Sequence, residues 1–202
     1  MAIKPILFNT EMVRAILDGR KTCTRRLVRF LPGENPQWTG YIRDGLMLYN
    51  GRNEPCITKA PYQPGDILYV RETWHKYTKR MGKGEGCHLA EFYGYKASVA
   101  NSEDANEPWK PSIHMPKEAA RIWLKVTDVR VERLQDITSE QIGREGVEVE
   151  YPHVLNGEEK RYAFLTLWNS TIKKSDLDRY GWDANPWVWV ISFERCEKPD
   201  NT

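Results

Sequence analysis

Cysteine is sparse in this sequence of 202 residues, and its four copies are far apart. Cys23, Cys56, Cys87 and Cys196 form no C-x-x-C pair and none of the dense spacing of a secreted disulfide scaffold, so they read as reduced thiols. Long apolar runs are absent too. No stretch approaches the roughly 20 apolar residues that a spanning helix needs, and Met1-Ala2-Ile3-Lys4-Pro5 lacks the apolar segment of a signal peptide. A cytoplasmic location with no membrane partner is therefore expected. Nor does one sign of charge prevail, since 30 Lys and Arg oppose 28 Asp and Glu for a formal net charge of +2. That balance excludes a whole-molecule electrostatic trap for nucleic acid, and any preference for a polyanion must be local.

Metal and phosphate motifs are missing as well. Cys87-His88 has no second ligand pair at a recognisable spacing, and His75, His114 and His153 are isolated, so no metal site is expected. Gly82-Lys83-Gly84-Glu85-Gly86 departs from the P-loop pattern and reads as a flexible loop. No cofactor is implied, and no internal repeat is visible.

What is present is an ordinary globular mix, with 40% hydrophobic and 29% charged residues, and a length that suits one domain over 1–202. Ile6-Leu7-Phe8 reads as a strand, and Met12, Val13, Ile16 and Leu17 then recur at helical spacing. Asn9 or Thr10 caps that helix and Gly19 ends it. Residues 32–65 carry repeated Pro and Gly breakers around short aromatic pieces such as Gln37-Trp38, which suggests hairpins. Gln63-Pro64-Gly65-Asp66 is a turn feeding the strand Ile67 to Glu72. Residues 79–108 read as a loop insertion with one strand at Leu89–Tyr95. Arg121 to Val131 alternates like a half-buried strand, Thr138-Ser139-Glu140-Gln141 fits a capping box, Tyr162 to Thr171 reads as a helix, and Trp187 to Phe193 as the last strand. Short strands with few helices and no βαβ rhythm predict an α+β fold, a small mixed β-barrel with flanking helices.

Residues 1–30 concentrate positive charge: Lys4, Arg14, Arg20, Lys21, Arg25, Arg26 and Arg29 stand against Glu11 and Asp18. Taken alone, a basic cluster after a helix is usually a solvated terminus that offsets the helix dipole, and a glutamate at a strand end is usually a surface residue or salt-bridge partner. Three segments together carry more. Gly19, Lys21 and Arg26 make a G-x-K-x-x-x-x-R stretch, residues 65–72 read Gly-Asp-x-Leu-x-Val-Arg-Glu, and Arg121-Ile122-Trp123-Leu124 opens a later strand. This combination resembles the ASCH domain of the PUA-like superfamily. The Gly-Arg-Lys-Thr-x-Thr-x-Arg run at 19–26 is also similar to that of small N4-acetylcytidine amidohydrolases of that family, and the chain resembles its longer phage-type members. The likeness leaves 79–108 and much of 150–185 unmatched.

That resemblance implies a catalytic set of Lys21, Thr24 and Glu72. The chemistry is coherent with amide hydrolysis: a threonine hydroxyl becomes a nucleophile when a neutral lysine takes its proton, and neighbouring Arg20, Arg25 and Arg26 disfavour the ammonium. Glu72 then holds the exocyclic nitrogen of the base or ferries the proton, and backbone N–H groups after Gly19 are candidate oxyanion donors. In a regular strand, however, Lys21 and Thr24 point to opposite faces. Arg20 and Arg26 are candidate substrate contacts. Among eight Trp and ten Tyr, so are Tyr69, Trp74 and Trp109 as stacking faces, although core packing is the common role of any one of them. Pro111 to Pro116 reads as a pocket wall or a plain connecting loop. The expected partner is a small modified nucleoside or nucleobase. RNA is the alternative, bound by a non-catalytic module or cut by an ASCH-type ribonuclease.

Overall fold

The computed structural model describes residues 1–34, 41–43, 46–82, 87–98, 108–149 and 158–199. Its elements run β1 (Ile3–Leu7), α1 (Thr10–Leu17), β2 (Cys23–Leu27), β3 (Tyr41–Arg43), β4 (Met47–Tyr49), β5 (Ile67–Arg71), β6 (Trp74–Met81), β7 (His88–Tyr95), β8 (Trp123–Arg133), α2 (Ser139–Arg144), α3 (Glu158–Thr171), α4 (Leu177–Tyr180) and β9 (Trp187–Cys196). The chain is α+β, mostly sheet with a few helices. Its contacts divide it into two units, residues 1–18, 67–124 and 195–202 in the first and 19–66 and 125–194 in the second.

In the first unit β1 pairs in parallel with β5, from Ile3 opposite Ile67 to Leu7 opposite Arg71, and Val70 N–H donates to the Ile122 carbonyl beside β8. Parallel neighbours need a long crossover. α1 lies on it, and its N-terminus is closed by Asn9, whose Oδ1 accepts from Met12 N–H at 2.8 Å. Such a cap contributes about 1 kcal/mol. Gly19 follows at φ +76°, a left-handed conformation that a Cβ disfavours. The strand expected at Leu89–Tyr95 is present as β7, and it belongs to a β-hairpin: β6 pairs with β7 from Trp74 opposite Tyr95 to Met81 opposite His88. Period-two alternation is weak in the lysine-rich β6, which is why its strand was missed from sequence. Ile67, Trp74, Met115, Ala119, Ala120 and Trp123 form this unit's core.

In the second unit the ladder runs β8, β9, β2, with β2 antiparallel to β9 from Cys23 opposite Ser192 to Leu27 opposite Val188. β3 and β4 form a short hairpin within 32–65, as expected there, while Trp38 lies outside the described residues. The 63–66 turn is present: Asp66 N–H donates to the Gln63 carbonyl at 3.0 Å, with Gly65 at φ +87°. α2 starts at a full capping box formed by Thr138 and Gln141. α3 begins four residues before Tyr162, at Glu158. Leu134, Ile142, Phe164, Trp168, Trp182, Val188 and Val190 make the core, and the aromatic rings are locked by polar handles, Trp168 Nε1 donating to the Tyr180 carbonyl at 2.8 Å. Among the described residues neither ladder closes on itself.

Candidate active site

Lys21 sits just before β2, where it bridges to Glu145 at the end of α2. Its side chain is fully buried and its Nζ donates to Glu145 Oε2 at 2.7 Å and to the Glu145 carbonyl at 3.0 Å. Arg25, also buried, reaches the other oxygen of the same carboxylate at 3.1 Å, and donates to Glu132 at 2.5 Å and to Gln141 at 3.1 Å. A carboxylate between two buried cations is satisfied on both oxygens, the condition under which burial of charge is tolerated. Cys23 lies on this side as well, its Sγ 3.9 Å from the Gln141 carbonyl. Burial, with help from Glu145, pushes its thiol up to about 12. Glu145 carried no signal in the sequence, because nothing in its local pattern distinguishes it from other helix-end acids.

Thr24 is 2% exposed and lies between Cys23 and Arg25 in a regular strand. Period two therefore turns it to the opposite face of β2 from those two side chains, the face it shares with Arg26. Beyond Thr24, residues 26–31 line a cavity of about 1070 Å³ in the second unit. Arg26, Arg29, Lys59 and Arg179 line it, against a single carboxylate, Glu34. Tyr62, Tyr180 and Trp189 add aromatic surface, Trp189 standing opposite Arg26 in the β2–β9 ladder. Burial pushes the Arg26 guanidinium down from its usual range, with Tyr62 and Glu145 opposing, and pushes the Tyr62 phenol up. Thr24 is two strand residues from Arg26, about 7 Å along β2.

Arg20, the other proposed substrate contact of this unit, is engaged elsewhere, donating to the Gly146 carbonyl at 3.1 Å and pairing with Glu148 at 3.1 Å. Of the backbone groups after Gly19, Thr22 N–H is committed to the Arg144 carbonyl at 2.8 Å and is not available to an oxyanion.

The remaining sequence candidates belong to the first unit. Glu72 is 1% exposed, and the Arg121 guanidinium grips both its oxygens at 2.9 Å, a bidentate geometry that fixes the carboxylate. Arg121 is itself stacked over Tyr95 at 4.1 Å and donates to Ser98 at 2.6 Å. Tyr69 packs on Trp123 with ring centroids 6.0 Å apart, and Trp74 is buried in the core against Tyr93. Trp109, half-buried, stands 4.7 Å from the His75 ring. Met115, from the segment read as a pocket wall, is a core residue whose sulfur accepts from Glu72 N–H at 3.2 Å.

No protein-family model matches the chain, and no curated protein matches it. Among solved structures it is similar to the crystal structure of an ASCH domain from Lactobacillus crispatus JV V101, at 12% identity and a TM-score of 0.39, over 96% of this chain and 79% of that one.

Proposed function

We propose that the protein is an amidohydrolase that removes acyl groups from N4-acylated cytidine or cytosine. One observation carries the reading: Thr24, the nucleophile candidate, is buried two residues before Arg26, which lines a cavity of about 1070 Å³ with aromatic sides. That volume accommodates a nucleoside, since small-molecule sites span roughly 300–1,000 Å³. The Gly-Arg-Lys-Thr-x-Thr-x-Arg run supplies the chemistry. Thr24 Oγ1 attacks the acyl carbonyl, its proton passes through Lys21 to the departing exocyclic amine, and water then cleaves the threonyl ester. An ammonium has no lone pair and Lys21 lies with Glu145 on the other side of β2 from Thr24, so Lys21 serves as base only when neutral, released from Glu145 and turned to the Thr24 face. The acid–base role of Glu72 is assigned from the sequence pattern, in a PUA-like barrel arrangement of the strands, within the cytoplasm.

Incubating the purified chain with N4-acetylcytidine and following cytidine release tests the reading. Thr24→Ala and Lys21→Arg are each expected to lower turnover by orders of magnitude with the folded circular-dichroism spectrum retained, as for members of a catalytic unit. Lys21→Arg is the sharper variant, because arginine keeps the charge but cannot act as a base. Near-wild-type turnover by folded Lys21→Arg refutes lysine as the base. Absence of any cytidine, with RNA bound equally well by both variants, favours a non-catalytic RNA module.

A further inference from the structure

The cavity lined by Arg26 carries more positive charge than a neutral nucleoside requires. Four of its lining residues are cationic and one is acidic, a net of +3 on this wall alone, whereas the whole chain sums to +2. The acid is partly engaged, since Glu34 Oε1 accepts from Asn50 Nδ2 at 3.1 Å. The cations arrive from separate segments: Arg26 from β2, Arg29 just beyond it, Lys59 from the strand-like stretch whose Thr58 N–H donates to the Arg29 carbonyl at 2.9 Å, and Arg179 from α4. Arg29 and Lys59 are exposed. Cations that outnumber the acids around one space repel one another, and a bound anion reduces that cost.

Flat apolar surface occupies the same cavity. Tyr62 and Tyr180 are half-buried and Trp189 is buried, each contributing to the wall. The Arg179 guanidinium lies 5.3 Å from the Tyr180 ring centroid, so a charged donor and a stacking face adjoin. A ligand that satisfies both halves carries a phosphate and a planar heteroaromatic ring.

We propose that this cavity binds a nucleoside monophosphate, with Arg29, Lys59 and Arg179 receiving the phosphate and Tyr62 and Tyr180 flanking the base. The proposal deepens the hydrolase reading, on which it rests only for the acyl group, by making the substrate a nucleotide. A mononucleotide fits better than a polynucleotide strand, because the cations line one cavity and the chain as a whole is close to neutral.

The test is titration calorimetry of the full chain with CMP, UMP, AMP and GMP, each beside its own nucleoside, with no turnover involved. At least one monophosphate is expected to bind tenfold or more tightly than its nucleoside, with inorganic phosphate competing and added salt weakening only the phosphorylated form. Lys59→Ala combined with Arg179→Ala should abolish that preference while leaving the melting temperature unchanged. Equal binding of nucleoside and monophosphate throughout the panel overturns the proposal, as does a preference that survives the double substitution. Tight binding of an oligoribonucleotide without any monophosphate preference also overturns it, assigning the basic wall to a strand. Binding of CMP without hydrolysis of N4-acetylcytidine or its 5′-monophosphate refutes the hydrolase alone.

Discussion

Replacing Glu145 by glutamine perturbs a buried charge cluster of the second unit while changing its shape little. In the folded protein Lys21 and Arg25 are 0% and 1% exposed, and the Glu145 carboxylate joins them at 2.7 and 3.1 Å. Removing one partner of a buried ion pair costs about 3–5 kcal/mol, because the other charge stays desolvated. Two contacts temper this here: Arg25 keeps Glu132 at 2.5 Å, and Lys21 keeps the Glu145 backbone carbonyl at 3.0 Å. The loss is therefore expected at the lower end, about 3 kcal/mol, or roughly two decades in the folding equilibrium. Urea unfolding followed by the fluorescence of buried Trp168 and Trp182 reads it directly. With a slope of about 2 kcal/mol per molar, the midpoint falls by roughly 1.5 M at unchanged slope. Adding Lys21→Met removes the stranded ammonium, so the double variant should regain at least half of the loss, a coupling that distant sites do not show. A loss below about 1 kcal/mol for Glu145→Gln, the scale of an exposed pair, refutes the reasoning, and so does strict additivity.

Burial raises the Cys23 thiol from its ordinary value of 9.0 to about 12, so the neutral thiol stabilises the fold fully below pH 9 and that contribution is lost as pH rises towards 12. Mass-spectrometric alkylation of the native protein at pH 8 should accordingly label exposed Cys87 first and Cys23 last. Gly181→Ala places a Cβ 2.6 Å from the Leu177 carbonyl oxygen and should cost about 1–3 kcal/mol in thermal unfolding, whereas Gly51→Ala, which meets nothing within 4 Å, should change little. Since the proposed nucleophile and base are both side chains, deacylation should survive exhaustive chelation, and loss with EDTA followed by recovery with zinc refutes the metal-free mechanism.

Local chemistry alone determined much of this protein. Asn9 and Gly19 bound the first helix because a side-chain acceptor and a left-handed residue are needed at those two positions, and Thr138 with Gln141 starts the second for a similar reason. The alternation of Leu68 and Val70, and of Ile122, Leu124 and Val126, marked strands that are buried in the sheet. The period of two likewise separated Lys21 from Thr24, and β2 keeps that separation by directing Arg25 and Thr24 to opposite faces. Only tertiary structure decided the partners. Glu145 is 124 residues from Lys21, and Arg121 is 49 from Glu72, so neither pairing leaves a trace in local spacing. The cavity wall is of the same kind: Arg26, Lys59 and Arg179 come from three segments whose approach follows from burial of distant apolar faces, a collective property that no window of sequence contains.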